Sequence, residues 1–433
     1  MEEVLIQEIF EGGYEGKEVK IKGWVYNKRS LGNVIFLVIR DGTEYIQATV
    51  KKDGVDEETF KRADKLTQES SLEIEGIVKE DKRAPGGYEI RVKKIKIYQI
   101  AQQPYPLGKK SHGIDFLLSK RHLWIRSRKQ RAILKIRATV VKAIRDFLDS
   151  NGFVLIDTPI FTPSACEGTT TLFETEYFGR KAYLSQSGQL YVEAAIFAFR
   201  KVYCFGPTFR AEKSRTKRHL TEFWMVEPEI AFASLEDLMK VEEELVTYIV
   251  NKVLETNEKE LRVLERDISK LKIVEPPFPR ISYSEAIDIL QKKGFDIKWG
   301  DDFGTPHERA LSMEFEKPVI VHRYPAKIKA FYMQPDPENP EVVLCNDMLA
   351  PEGHGEIIGG SERIWDLEVL ERKIKVFNLP KEAYEWYLDL RRYGSVPHAG
   401  FGLGVERTVK WICNLEHIRE TIPFPRTVSR LEP

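Results

Sequence analysis

The chain has little cysteine: Cys166, Cys204, Cys345 and Cys413 are its only four, they lie far apart, and none forms a CxxC pair. That excludes a disulfide framework and a cysteine-rich zinc site. The eight histidines contain no HExxH, so a zincin-type metal helix is excluded as well. No run of about eighteen apolar residues occurs, and the opening MEEVLIQEIFEGG has no basic stretch followed by an apolar core. Neither a membrane span nor a signal peptide is expected, and a cytoplasmic address follows by default. Charge of one sign is also lacking, because 67 Lys and Arg balance 67 Asp and Glu. A nucleic-acid partner would have to be met by local patches. Finally, no GxxxxGKS or GxGxxG loop follows a strand, so ATP, if bound, must be held by another device.

What is present is enough for two domains. The 433 residues are 42% hydrophobic and 31% charged, which supports a sizeable core and excludes a disordered or fibrous chain. Five alternating segments, EVKIKGWVY, NVIFLVIRD, EYIQATVKK, SLEIEGIVKE and YEIRVKKIKIYQI, occupy residues 18 to 100 and are separated by turn signals such as Asp41-Gly42 and Pro85-Gly86-Gly87. Five half-buried strands in this span fit a small barrel of the oligonucleotide-binding (OB) type, and another small β domain fits the strand count equally. AQQPYPLG at 101 to 108 reads as a hinge. Between Lys109 and Arg137 there are ten basic residues and one acid, Asp115; they fit an RNA backbone track or a solvated helix face equally well.

From Arg131 onward, Ile133, Ile136, Val140, Ile144 and Phe147 recur at helical spacing up to Asn151-Gly152. The helix feeds the strand FVLIDTPIF. Ser234 and Asp237 form a capping-box pattern at the head of another helix, PVIVHRY and EVVLCNDML read as strands, and helices are expected near 367 to 392. This irregular order lacks the βαβ rhythm of a parallel sheet. It predicts an α+β fold with an antiparallel sheet. The expected domains are an OB-type unit over 1–100, a hinge over 101–130 and a catalytic domain over 131–433.

Three segments carry the chemistry. In VYCFGPTFRAEKSRTKRHLTEFWMVEPE two strands flank a basic loop, and strand alternation puts Phe223, Met225, Glu227 and Glu229 on one face. In GEIIGGSERIWD, Glu356 and Arg363 bracket Gly359-Gly360, where backbone can approach a ligand. In GFGLGVERTV a glycine-rich strand enters a helix bearing Glu406 and Arg407. Taken singly, each has an ordinary structural explanation, such as a turn or a surface ion pair.

Together with PIFTPSACEG, these segments resemble motifs one, two and three of class II aminoacyl-tRNA synthetases, in the aspartyl, asparaginyl and lysyl subgroup and nearest its asparaginyl branch. The resemblance covers almost the whole chain and implies a class II antiparallel sheet flanked by helices behind an N-terminal five-stranded OB-type barrel. The implied activity is ATP-dependent formation of asparaginyl-adenylate and transfer to tRNA(Asn), with ATP and Mg2+ as cofactors and a homodimer whose interface includes Pro159. By that resemblance Arg210 grips the α-phosphate and the amino acid carboxylate, Glu212 faces the adenylate, and Phe223 and Arg407 sandwich adenine. Arg218 and His219 meet the outer phosphates beside Leu220, Gly404 and Glu406, and Glu356 holds the metal. The amino acid pocket is implied to comprise Glu167, Ser185, Gln189, Arg210, Glu227, Gly359 and Arg363. Where aspartyl relatives have a metal-binding serine this chain has Gly359, which leaves the second metal ligand open. Where they read QLYK, with a lysine for the substrate carboxylate, this chain has Val192. In the barrel, Arg29, Phe36 and Gln47 fall where the family contacts the anticodon, although an aromatic in VIFLVI is also a natural core residue. The alternatives are an aspartyl enzyme, including one that charges two tRNAs, a tRNA-independent asparagine synthetase, and a tRNA-binding regulator with a dead site.

Overall fold

The structure is a computed structural model that describes residues 1–108, 111–167, 171–214 and 216–433. Lys109, Lys110 and Gly168, which belong to the basic run and to PIFTPSACEG, lie outside the described residues. The chain divides into two compact units, Met1–Leu117 and Leu118–Pro433.

The first unit is a closed barrel. Its strands are β1 (Glu2–Glu3), β2 (Glu18–Leu31), β3 (Val34–Arg40), β4 (Tyr45–Lys51), β5 (Ser71–Glu80) and β6 (Tyr88–Gln99). They run in the order β1-β2-β3-β4-β6-β5, and β2 also pairs with β5, which closes the ring. Alternation turns Val19, Ile21, Ile35, Leu37, Ile39, Ile46, Ala48, Leu72, Ile74 and Ile90 inward, each worth about 1.5–3 kcal/mol when the side chain is large. Gly23 packs against the Arg40 carbonyl so closely that a β-carbon would overlap it; only glycine allows that approach. Two helices, Ile6–Glu11 and Glu57–Lys65, were not legible as such. The first is a turn and a half long, and the second buries only Thr59 and Ala63, so neither shows a full apolar stripe.

The second unit is built on an eight-stranded sheet. Its strands are β7 (Val154–Leu155), β8 (Phe161–Thr162), β9 (Glu174–Tyr177), β10 (Arg180–Leu184), β11 (Lys201–Phe209), β12 (Glu222–Ala231), β13 (Arg280–Ser282), β14 (Val319–His322), β15 (Cys345–Ala350), β16 (Gly355–Glu362) and β17 (His398–Gly404). The main sheet runs β13-β14-β15-β16-β17-β12-β11-β7 and is antiparallel except at its two edge pairs; β8, β10 and β9 form a small sheet of their own. Helix Arg128–Ser150 buries the Ile133, Ile136, Val140, Ile144 and Phe147 stripe, and helix Leu235–Thr256 starts on the Ser234–Asp237 capping box. Both helices join the core under the sheet with Val226, Ile358 and Phe401. Among the described residues no helix is long and apolar enough to cross a membrane.

The basic run is neither a solvated face nor an open track at its inner positions. Arg121 is fully buried and donates to the carbonyls of Glu420, Ile422 and Pro423 and to Gln130 Oε1. Lys129 reaches Glu420, and Arg137 reaches Glu406 at 2.7 Å. These cations fasten the C-terminal segment and the start of the last helix to the long helix.

Candidate active site

Four neighbouring strands, β15, β16, β17 and β12, present side chains to a cavity of about 700 Å³. Glycine makes this face hollow. On β17, a β-carbon at Gly400 would overlap the Glu229 carboxylate, and one at Gly402 would lie 2.5 Å from the Met225 methyl. The absent side chains leave room for those of β12, and Phe223, Met225 and Glu227 line the cavity from that strand.

Of the expected residues, Glu167, Gln189, Arg210, Glu212, Arg218, His219, Leu220, Phe223, Glu227, Glu356, Gly359, Arg363, Gly404, Glu406 and Arg407 all border this space. At one end Arg210 lies over the Phe223 ring, with its guanidinium 5.3 Å from the ring centre. Among the described residues no carboxylate pairs with it, and its Nε is buried without an acceptor. Such a cation is poised for an anion. Nearby, Arg218 pairs with Glu308 at 2.7 Å, Arg407 pairs with Glu356 at 3.0 Å, and Glu212 lies 3.7 Å from His219. Burial and then Arg407 push the His219 ring below its ordinary value, so it is neutral at pH 7 and offers a hydrogen bond without charge.

At the other end lies a denser polar network. Glu227 is buried and accepts from the Ser187 hydroxyl, the Gly188 N–H at 2.7 Å and the Cys204 thiol at 3.3 Å. Burial lifts its carboxyl above the ordinary range. Arg363 donates to Glu229 Oε1 from Nε at 3.0 Å and from Nη2 at 2.5 Å, and to Ser361 Oγ at 2.7 Å. Burial pushes Glu229 up to about 7 against the pull of Arg363. Glu167 accepts from the Tyr332 hydroxyl at 3.2 Å, and Gln189 is held by Glu193 at 3.2 Å. Arg391, His398 and Tyr387 surround Glu193, each at 2.8 Å. Against its full burial, Arg391 and His398 keep that carboxyl well below the usual range.

Three positions differ from the others in how their side chains are placed. Ser185 is buried with its hydroxyl bonded to the Ser187 carbonyl at 2.8 Å and does not border the cavity; Ser187, two residues on, holds Glu227 instead. The Glu406 carboxylate pairs with Arg137 at 2.7 Å and accepts from the Trp224 N–H at 3.0 Å, which ties the helix carrying Arg407 to β12. Val192 is fully buried in an apolar cluster with Ile196, Val202 and Cys204 and does not border the cavity.

A second carboxylate, on β15, faces the same point as Glu356. Asp347 pairs with Gly359 across the β15–β16 ladder, and a β-carbon at Gly359 would lie 3.5 Å from Asp347 Oδ1 and 3.5 Å from Glu356 Oε1. The Lys329 ammonium takes the other Asp347 oxygen, and the Arg407 guanidinium takes the other Glu356 oxygen. Two hard oxygen donors facing one point suit magnesium, which takes one or two carboxylates and completes its shell with substrate phosphates and water. Among the described residues no set of three or more His, Cys, Asp or Glu side chains is arranged to hold a metal by itself. Burial lifts Asp347 to about 6 against the effect of Lys329, with Glu356 adding to the rise. Asp347, Lys329, Tyr332 and Ser187 were not singled out from the sequence, because their relevance arises from ladder register and loop packing.

In the barrel, Arg29 pairs with Phe36 across β2 and β3, and Val38 pairs with Gln47 across β3 and β4, so Arg29, Phe36 and Gln47 share one face. Phe36 is half-buried between the inward Ile35 and Leu37, outside the core. Gln47 donates to Glu89 at 3.3 Å, which adds a carboxylate to that face.

The family model for tRNA synthetases class II (D, K and N) matches residues 113–428, and that for the OB-fold nucleic acid binding domain matches 19–98. Over 433 residues the chain is 59% identical to an asparagine--tRNA ligase of Pelotomaculum thermopropionicum, covering 100% of both. The crystal structure of asparaginyl-tRNA synthetase from Pyrococcus horikoshii complexed with asparaginyl-adenylate superposes with a TM-score of 0.96 at 52% identity, covering 99% of both chains. An aspartyl tRNA synthetase from Entamoeba histolytica superposes at 0.86 with 30% identity, covering 99% of this chain and 92% of that one.

Proposed function

We infer the reaction from kinship and cavity together: the chain belongs to the class II tRNA synthetases of the D, K and N group. It binds ATP, activates asparagine to asparaginyl-adenylate with release of pyrophosphate, and transfers the asparaginyl group to tRNA(Asn). The observation that carries this reading is the pairing, in one cavity, of an unneutralised Arg210 with the amide-complementary pair Glu227 and Arg363.

The asparagine carboxylate attacks the α-phosphorus, a new O–P bond forms, and the bond to pyrophosphate breaks. No covalent enzyme intermediate is needed, only alignment and neutralised charge. Arg210 spans the carboxylate and the α-phosphate. Glu212 faces the adenylate, Phe223 and Arg407 take the two faces of adenine, and Arg218 and His219 take the outer phosphates. Magnesium, held by Glu356 and Asp347, would neutralise charge on those phosphates. Glu167 receives the α-ammonium beside Gln189. Glu227 accepts from the side-chain amide, and the remaining N–H groups of Arg363 donate to its oxygen. Glu229 already balances Arg363, so an aspartate carboxylate would meet Glu227 without a spare cation.

On the barrel, Phe36 stacks an anticodon base while Arg29, Gln47 and Glu89 read its edges. Pro159 and Ile160 are exposed and lead into Phe161, whose ring lies 5.6 Å from Tyr177, itself 4.9 Å from Phe178; these exposed apolar rings suit a second copy of the chain. The protein acts as a cytoplasmic homodimer. The direct test is charging: asparagine should be esterified to tRNA(Asn) and not to tRNA(Asp), and charging of tRNA(Asp) would contradict the assignment.

A further inference from the structure

The carboxylates that face Gly359 each carry a cation on their other oxygen. Arg407 holds Glu356 Oε2, and Lys329 holds Asp347 Oδ2 at 2.7 Å. Arg407 has a place in the reaction above; Lys329 has none. It follows the turn Ala326–Ile328, its side chain is 15% exposed, and its ammonium sits 3.9 Å from the centre of the buried Tyr324 ring. It also borders the cavity. The ammonium thus neutralises Asp347 from Oδ2, while Oδ1 and Glu356 Oε1 face the same point beside Gly359.

A divalent ion on those two oxygens would lie within a few ångströms of the ammonium, in a recess where the repulsion is poorly screened. Nucleotide phosphates reverse the balance, because they supply negative charge to both cations at once. We propose that Lys329 is an internal counter-ion: it keeps magnesium off Asp347 until ATP arrives, then turns from the carboxylate to a phosphate oxygen, so that metal and nucleotide bind as one unit. The aromatic face of Tyr324 supports the ammonium in both positions. No bond to carbon or phosphorus changes in this exchange; one ion pair is replaced by another.

The inference rests on the reading that Asp347 and Glu356 hold the metal. Binding of Mn2+ as a magnesium probe, followed by its electron paramagnetic resonance, separates the two. Wild type should bind Mn2+ weakly alone and tightly with ATP present in the absence of asparagine. Lys329→Met should bind Mn2+ without nucleotide at least about tenfold more tightly than wild type and bind metal-free ATP more weakly. Lys329→Arg, which keeps the charge, should behave as wild type. If wild type with ATP orders no Mn2+, the metal reading fails and this inference with it. If it does, and Lys329→Met binds nucleotide-free Mn2+ no better than wild type, or the Met and Arg variants shift alike, Lys329 is not the counter-ion. Circular dichroism of each variant checks that the fold is intact, and the Arg variant carries the test if the Met variant is unfolded: nucleotide-free Mn2+ binding tighter than wild type would overturn the inference.

Discussion

Replacing Glu227 by glutamine changes one oxygen to nitrogen in the residue assigned to discriminate asparagine from aspartate. The carboxylate now accepts from three donors: the Ser187 hydroxyl, the Gly188 N–H and the Cys204 thiol. Gly188 and Cys204 both address Oε2, so the amide oxygen must take that position and the NH2 must face Ser187, which can turn its hydroxyl to accept. The new N–H groups then confront the amide NH2 of asparagine, donor against donor, at a cost of about 1–3 kcal/mol. For aspartate the same change removes a negative charge a few ångströms away, worth up to about 4 kcal/mol at an effective dielectric near 20, and adds a donor. The ratio of kcat/KM for asparagine over aspartate, measured by pyrophosphate exchange into ATP, should fall by at least about a hundredfold, since each 1.4 kcal/mol is tenfold. Because both amino acids are measured on one preparation, the active fraction cancels. A ratio within threefold of wild type would refute the role assigned to Glu227. Burial raises the Glu227 carboxyl, so in the wild type protonation sets in at a higher pH than for free glutamate, and discrimination should weaken as pH falls.

Arg210→Ala should lower kcat/KM for exchange by about 10²–10³, corresponding to about 2.7–4 kcal/mol of lost charge stabilisation, and activity near wild type would displace the phosphate site; Arg407→Ala should raise KM for ATP in the same assay by removing the guanidinium plane over adenine, and an unchanged KM would contradict that placement. Arg210 has no carboxylate partner among the described residues, so its removal should leave thermal unfolding unchanged. Phe36→Ala should leave exchange intact and raise KM for tRNA roughly tenfold or more, from about 1–3 kcal/mol of lost stacking; equal loss in both assays would make it a packing residue. Lys410 is 8% exposed and held at about 8, by burial and then by Arg218, Arg309 and Arg407. Its unfolded value is about 10.4, so the native state binds fewer protons between the two and stability rises with pH across that window. Lys410→Met should therefore be more stable than wild type at pH 7 by up to about 3 kcal/mol, with the gap in urea unfolding closing toward pH 10. A gap independent of pH would refute this.

The elements most legible in the sequence were those whose information is local. The five barrel strands alternate with period two, the Arg128–Ser150 helix repeats its apolar positions, and the Ser234–Asp237 box marks a helix start. The motif residues are likewise contiguous in the chain, so Arg210, Phe223, Glu356 and Arg407 could be named before their meeting was seen. Residues that matter through distant pairing escaped notice. Asp347 faces Glu356 only because β15 pairs with β16 in one register, and Lys329 reaches Asp347 from a loop eighteen residues earlier. Chemistry read from residue type alone also misplaced side chains. Glu406 is acidic and sits in a motif, yet it clamps Arg137; Ser185 is two residues from the hydroxyl that holds Glu227. At Val192, where aspartyl relatives carry a lysine, the side chain lies in an apolar cluster with Cys204.

The most direct measurement of the central claim is pyrophosphate exchange into ATP with asparagine and with aspartate as the only amino acid, before any tRNA is added. Asparagine should drive exchange and aspartate should not, because Arg363 is already balanced by Glu229 and Glu227 opposes a second carboxylate. Exchange as fast with aspartate as with asparagine would contradict the assignment of this cavity to asparagine.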